Sequence, residues 1–368
     1  MEIENSFSFT APIIEYNVNL FSDEIFKKAI YLFNSGKYNE SIKETLKAIN
    51  SESIKDFKKD SFLIPHGSIT LNIEIKEDKY TISSKFLKLP SSGVIALLRK
   101  TAEINFESLT LSQLVLKDGN LFFEFKAPLH LCHPKKVLSV ICETCFNADY
   151  YDDIFYSQFK AERTYTPQIE EIPQKTKDTA WNIFQETLKE CGQYIEYFEQ
   201  KRLNYLALDS ICIALTKIDY VFSPQGLLGA KIEKSISDAY KHNSLEDALR
   251  ISKDNIKYLT EFTKENFFAS LYKIKIFAAI KPAADFMTVQ NSIGQRYASA
   301  KQEFSEGKHE SATCLLFLAI YDLFYKYTCS SKIKKIALKG LKDASQKKWR
   351  DAGIKLINTL SSIMEIKE

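Results

Sequence analysis

Glycine is scarce, 11 in 368 residues, and none of it forms a phosphate-cradling loop: Gly226 and Gly229 lack the following Gly-Lys-Ser/Thr. That argues against a nucleotide-dependent enzyme. No apolar run approaches the roughly 20 residues of a membrane span, and the best, Cys314 to Phe324, is short and contains Asp322. The opening Met1-Glu2-Ile3-Glu4-Asn5 lacks the basic end and apolar core of a secretory signal. Cysteine, 7 in all and odd in number, is scattered mostly at apolar helical positions and reads as reduced thiols. A soluble, cytoplasmic protein with no membrane contact is expected. A net charge of only +3 excludes polyanion binding by bulk electrostatics, so any basic function needs a local patch. Catalytic motifs are missing too. His66, His130, His242 and His309 stand isolated, outside any Gly-x-Ser-x-Gly or His-Glu-x-x-His pattern, and no catalytic residue, cofactor or metal is expected.

What is present is a sheet-forming core between about Phe62 and Lys160, in a chain long enough for two or three domains. Ile69, Leu71, Ile73 and Ile75 alternate with Ser68, Thr70, Asn72 and Glu74, the period of a half-buried strand. Lys76 to Lys79 turn the chain into a second strand through Tyr80, Ile82 and Phe86, which Pro90 ends. Val94, Leu97, Leu98, Thr101 and Ala102 then share one face of a helix, with Ser91 or Ser92 as its cap. Leu114–Leu116 and Leu121–Phe125 flank an Asp118-Gly119 turn, the strongest local hairpin signal in the chain. Pro134 suits a first helical turn, after which Val137, Leu138, Ile141, Cys142, Cys145 and Phe146 form an apolar stripe. Helices segregated from an antiparallel sheet make this an α+β module.

That order of elements, with the closing run from Asn147 to Asp153 and on to Phe159, resembles the fold shared by the type III secretion chaperones and the YbjN-like family. The resemblance covers roughly the first 160 residues. It implies a module that binds other proteins, often as a homodimer, and carries no catalytic residues.

Around the module the pattern is helical. Ser22-Asp23-Glu24 opens a helix that turns at Gly36 and returns through Tyr38, Ile42 and Leu46. Ala29, Leu32, Gly36, Tyr38, Ser41 and Ala48 resemble a degenerate tetratricopeptide repeat, with Ser41 where alanine is usual. Ala29, Phe33, Gly36, Lys37, Ala48 and Ile49 recur at an offset of 271 as Ala300, Phe304, Gly307, Lys308, Ala319 and Ile320. Weaker copies lie around Leu245 to Asn255 and around Trp349, Ala352 and Leu356. The division expected is an arm and helical hairpin over 1–60, the α+β module over 61–163, a linker over 164–175 around Pro167, Gln168 and Pro173, and an all-α helical-hairpin domain over 176–368 with no strands. The alternating Ser6-Phe7-Ser8-Phe9-Thr10 either adds an edge strand to a sheet or lies on the chain's own core, the second being favoured.

Three clusters are candidates for chemistry. Cys132, His133, Cys142 and Cys145 have one pair at zinc-ligand spacing, but the last two share the apolar stripe and read as buried thiols. Asp149, Asp152 and Asp153 offer carboxylates for a cation or acid–base work, against which stands a solvated helix face. Lys332, Lys335, Lys339 and Lys342 fall on one side of a helix, with Lys334, Lys347, Lys348 and Arg350 close by and Trp349 the one aromatic among them, a stripe for nucleic-acid phosphates, anionic lipid or an acidic partner, against which stands an ordinary solvated lysine face, the reading favoured. The expectation is a non-enzymatic protein-binding adaptor or chaperone-like scaffold whose partner is another protein or a second copy. The alternative is a nucleic-acid-associated protein using the lysine stripe.

Overall fold

A computed structural model describes residues 3–14, 21–54, 56, 58–67, 69–164, 169–241, 244–279 and 281–366. The chain forms two compact units, a sheet unit of residues 16–171 and 272–280 and a helical unit of residues 1–15, 172–271 and 281–368.

In the sheet unit, Ser22 accepts a hydrogen bond from the Ile25 amide and opens helix α1 (Asp23–Asn34), whose first-turn Asp23 and Glu24 complement the helix dipole. Gly36, at a φ of 75°, takes the left-handed conformation that ends α1, and the chain returns as α2 (Tyr38–Asn50). The expected hairpin is present. Ser41 is fully buried, and its hydroxyl donates to the Ala29 carbonyl at 2.7 Å, fastening one helix to the other.

The sheet comprises β1 (Ser61–His66), β2 (Ile69–Lys76), β3 (Lys79–Lys88), β4 (Gln113–Lys117), β5 (Asn120–Pro128) and β6 (Glu162–Arg163). The order is β1-β2-β3-β5-β4, all antiparallel, with β6 pairing the end of β3 at Leu87 and Lys88. Ser68, the expected start of the first strand, lies outside the described residues. β1 is not among the strands expected from the sequence, and it contains Pro65. Among the described residues it pairs only with β2, as an edge strand, and there proline is tolerated. The β4–β5 turn is made by Asp118 and Gly119 at φ 46° and 73°, the two positive values that a two-residue hairpin turn of this hand requires. Between Lys85 and Leu87 the β3–β5 register shifts, so consecutive Phe86 and Leu87 are both buried.

Helices α3 (Val94–Glu107) and α4 (Pro134–Phe159) follow β3 and β5. α4 packs on β2, β3 and β5, and its Val137, Val140, Ile141 and Cys145 join the sheet's Leu71, Ile73 and Ile82 in one core. Pro134 does occupy the first turn of α4. The cap of α3 differs from expectation: neither Ser91 nor Ser92 serves, and Gly93 at φ 77° stands in the cap position without a side-chain bond. Ser91 and Ser92 therefore leave the turn to backbone geometry alone.

Two corrections concern the expected division. Within the supposed linker, β7 (Ile169–Glu171) pairs antiparallel with β8 (Tyr272–Ile274), so a strand does lie beyond Thr176 and residues 272–280 belong to the sheet unit. Three residues are too few to show a period. Pro167 and Gln168 lie outside the described residues. The N-terminal arm, in turn, belongs to the helical unit, and its described residues add no strand to the sheet.

The helical unit runs through α5 (Gln174–Gln200), α6 (Asn204–Phe222), α7 (Gly226–Lys241), α8 (Leu245–Thr260), α9 (Lys264–Ala269), α10 (Phe286–Ser305), α11 (His309–Lys326), α12 (Ser331–Ala344) and α13 (Trp349–Met364). α10 and α11 are the hairpin expected from the repeated residues, turning at Gly307 with φ 80°. The α5–α6 turn has the same geometry without glycine: Arg202 sits at φ 59°, and Leu203 N donates to Phe198 O at 2.8 Å as Lys308 N does to Glu303 O at 2.9 Å. Among the described residues no helix is long and apolar enough to cross a membrane.

Replacing Ser41 with alanine removes the bond between α1 and α2 while leaving the close packing, so the chain should lose about 1 kcal/mol. Urea unfolding of Ser41→Ala beside the wild type measures it; an unchanged midpoint would mean that the hydroxyl does not hold the hairpin.

Candidate functional site

A helical bundle satisfies its own backbone, so an extended segment laid against it has to find hydrogen bonds elsewhere. Residues 3–9 find them in a groove of the helical unit. Trp349 Nε1 donates to Ile3 O at 3.1 Å and the Tyr194 hydroxyl donates to Asn5 O at 3.0 Å. Ser6 N donates to Lys347 O at 2.7 Å, and Gln346 N donates to Phe7 O at 3.3 Å. Phe9 N donates to Ser345 Oγ at 2.9 Å. The turn between α12 and α13 thus runs beside the arm like a neighbouring strand, including a bridge between Asn5 and Lys348.

Side chains fix the register. Phe7, 3% exposed, enters a pocket of Tyr194, Phe317 and Trp349, with ring centroids 4.3, 5.4 and 5.7 Å away. Next to it, Ser8 N and Oγ donate to the two carboxylate oxygens of Glu190 at 2.8 and 2.7 Å. Lys217, only 2% exposed, donates from Nζ to Ser8 O at 2.7 Å and Ser8 Oγ at 2.8 Å, with Glu190 Oε2 at 3.4 Å. Burial pushes the pKa of the Lys217 ammonium down, and the adjacent Glu190 carboxylate opposes that shift. Apart from Trp349, Lys347 and Lys348, which flank the lysine stripe, none of these groove residues belongs to a site that the sequence motifs pointed to. The readable signal is a lone lysine inside the apolar run Ile211–Ile218, which must find partners if the helix is buried.

The sheet unit contains a second polar cluster, and it overturns the solvated reading of the acidic run. Asp152 is 5% exposed and pairs with Arg163, whose Nε lies 3.2 Å away, while Asp153 pairs with the same guanidinium. Asp149 Oδ2 lies 3.1 Å from Nε2 of the fully buried His66. His66 Nδ1 accepts from the Phe277 amide at 3.0 Å and the Ala278 amide at 3.4 Å, which places the ring proton on Nε2, facing Asp149. With Nδ1 taken by two amides, Nε2 beside the Asp149 carboxylate and the ring closed to solvent, His66 ties Phe277 and Ala278 into the sheet unit and is not exposed as a base. Sequence distance concealed it, since His66 and Phe277 are 211 residues apart. His242 lies outside the described residues.

The other candidates stay apart from the groove's polar contacts. Cys132 and Cys145 are buried and Cys142 is half-buried, and burial pushes the Cys132 and Cys142 thiols up to about 11. Between them, Glu143 accepts from the amides of Thr110 and Ser112 and anchors the loop before β4. Among the described residues no group of three or more His, Cys, Asp or Glu is placed to hold a metal ion. Lys332, Lys335, Lys339 and Lys342 are exposed on α12, opposite buried Ile333, Ala337, Gly340 and Leu341. Trp349, the aromatic expected near them, is instead buried against Phe7. A cleft of about 550 Å³, lined by Asn291, Gln295, Arg296 and Lys326 among others, adjoins the buried Asp322 carboxylate that receives both cations.

Comparison with known proteins finds no protein-family model and no curated protein that matches the chain.

Burial pushes the Asp152 carboxyl up to about 6, Arg163 offsetting part of the effect. An unfolded aspartate ionises near 3.9, so between about pH 4 and pH 6 the folded chain keeps a proton that the unfolded chain has released. Stability should therefore fall as pH rises through that window. Asp152→Asn removes the dependence, and the stability difference between wild type and variant should change by roughly 2 kcal/mol from pH 4 to pH 7, measured by urea unfolding at each pH. A constant difference would refute the assignment.

Proposed function

We propose that the protein is a non-enzymatic, cytoplasmic protein-binding adaptor, holding an extended segment of a partner in the groove of its helical unit and engaging partners through its sheet unit as well. The observation that carries this reading is the arm in the groove. Seven main-chain atoms of residues 3–9 are met by groove residues, while side-chain demands fall on three positions, Ser6, Phe7 and Ser8. Main-chain hydrogen bonds supply affinity for any extended chain and side-chain pockets supply selection, the logic of peptide recognition by extended strands. An interface anchor of this kind is most often a buried aromatic residue in a desolvated pocket, as Phe7 is here.

Three further features support the reading. The sheet unit places Leu63 on its edge strand β1 at 71% exposure, and the helical hairpins leave Tyr205, Tyr258 and Ile354 exposed. Free, mostly buried cysteines suit a reducing compartment. Trp349, the aromatic nearest the lysine stripe in sequence, is committed to Phe7 and offers no free ring for base stacking, so the nucleic-acid reading gains nothing from it.

A full-length chain carrying Phe7→Ala, panned against displayed random 12-residue peptides, should enrich aromatic-containing extended sequences. Adding Lys217→Met should abolish the enrichment, and adding Lys335→Glu with Lys339→Glu should not. No enrichment on a chain that still unfolds cooperatively would remove the adaptor reading.

A further inference from the structure

We propose that residues 3–14 are an internal occupant that keeps the groove closed, displaced by a partner segment carrying a small residue, an aromatic residue and then Ser or Thr. This rests on the adaptor reading and specifies its ligand and its regulation.

The ligand class follows from the contacts. At position 8 the oxygen stands between a carboxylate that must be donated to, Glu190 Oε2 at 2.7 Å, and an ammonium that must be accepted from, Lys217 Nζ at 2.8 Å. A hydroxyl does both at once; a carboxylate cannot donate to Glu190, and an alkyl group can do neither. One position earlier, the pocket of Tyr194, Phe317 and Trp349 takes a planar ring, which Phe7 meets at tilted and edge-on angles of 46°, 76° and 83°. Before it, Ser6 is fully buried, its hydroxyl donating to Ala344 O at 2.7 Å, so only a small side chain fits.

That the arm is displaceable follows from how shallowly it is held elsewhere. Glu4, Asn5 and Ala11 are exposed and residues 8–10 half-buried; only Ser6, Phe7 and Ile14 are buried. Beyond the groove the arm is fastened at one further place, where the Ile13 and Ile14 amides donate to Val221 O at 2.8 and 3.3 Å beside the buried Ile14. Its departure breaks no helix. It does strand the Lys217 ammonium, which then keeps Glu190 alone, so the groove gains most from an occupant that restores a carbonyl and a hydroxyl there. A tethered occupant competes at an effective concentration on the order of millimolar, which sets the threshold a partner must exceed.

The test is a labelled peptide with the sequence of residues 3–14, titrated into full-length chains by fluorescence anisotropy. The wild-type chain should bind weakly. Phe7→Ala, whose own arm is loosened, should bind at least tenfold more tightly, and Ser8→Pro, which removes the arm's Glu190 contacts without a cavity, should do the same if Phe7→Ala misfolds. On either chain, peptide with Thr at position 8 should retain affinity, and peptide with Ala there should lose about tenfold. Equal affinity for wild-type and arm-loosened chains would overturn the internal competition while leaving the adaptor reading to its library test. Absence of binding to both arm-loosened chains, each melting cooperatively, would overturn the groove's ligand assignment.

Discussion

An ammonium group in a nearly dry interior must be met by acceptors, and in the helical unit Lys217 is met by the Ser8 carbonyl, the Ser8 hydroxyl and Glu190. Each acceptor ties down a different piece of chain. Glu190 fixes α5 against α6, and Ser8 fixes the arm across both. Gln346 Nε2 adds a bond to Glu190 at 3.1 Å and draws in the turn between α12 and α13. Removing any one partner leaves a buried charge incompletely paired, which costs more than the pair itself contributes. A bundle seeking stability alone would do as well with an apolar residue at position 217, so the lysine is better explained by what it reads, the main chain of an extended segment.

The sheet unit solves the same problem with the opposite polarity. There the late segment is residues 272–278, strand over β8 and bent at Phe277 and Ala278, and the buried reader is His66, whose Nδ1 accepts from those two successive amides instead of donating to a carbonyl. Gly67 belongs to this arrangement, because a side chain there would meet the Asp149 carboxylate at 1.9 Å and its φ of 50° is left-handed. Around the pair, Asp152, Asp153 and Arg163 form a second closed set of charges. Both units thus complete themselves with a short strand-like piece held by a buried titratable side chain on main-chain atoms.

Local physics is legible wherever one stretch of residues decides the outcome. Ile69 to Ile75 alternate and form β2; Asp118-Gly119 turns the chain; Gly36 and Gly307 end helices that return as hairpins. The Ser6 to Thr10 pattern reads as an arm on the chain's own core and is one, though nothing in it announces the groove beneath. What escapes is decided at long range. β8 is three residues that have strand geometry only because Ile169–Glu171 pairs with them, and Arg202 takes the position that glycine holds in the related turns because the surrounding helices impose it. The acidic run from Asp149 looks like a wet helix face until His66 and Arg163 arrive from other elements. Periodicity reports which face of an element is buried; it does not report which charged group waits there.

The order in which these pieces occur along the chain has a mechanical consequence. The helical unit begins with the arm, is interrupted by the sheet unit at residue 16, resumes at 172, yields residues 272–280 back to the sheet, and closes from 281 onward. Neither unit can be completed from one continuous stretch, so each must close long loops before its buried readers are satisfied, a requirement that slows folding relative to local helical hairpins. His66 in particular lacks its two amide donors until Phe277 and Ala278 have been made. The two late-joining segments differ in one respect that bears on function. Residues 272–280 are flanked on both sides by the helical unit's chain and cannot leave without unravelling β7–β8, whereas the arm pairs with no strand of a sheet and rests in its groove chiefly by main-chain bonds that other chains also possess. Of the two completions, the arm's is the one that the proposed partner segment would replace.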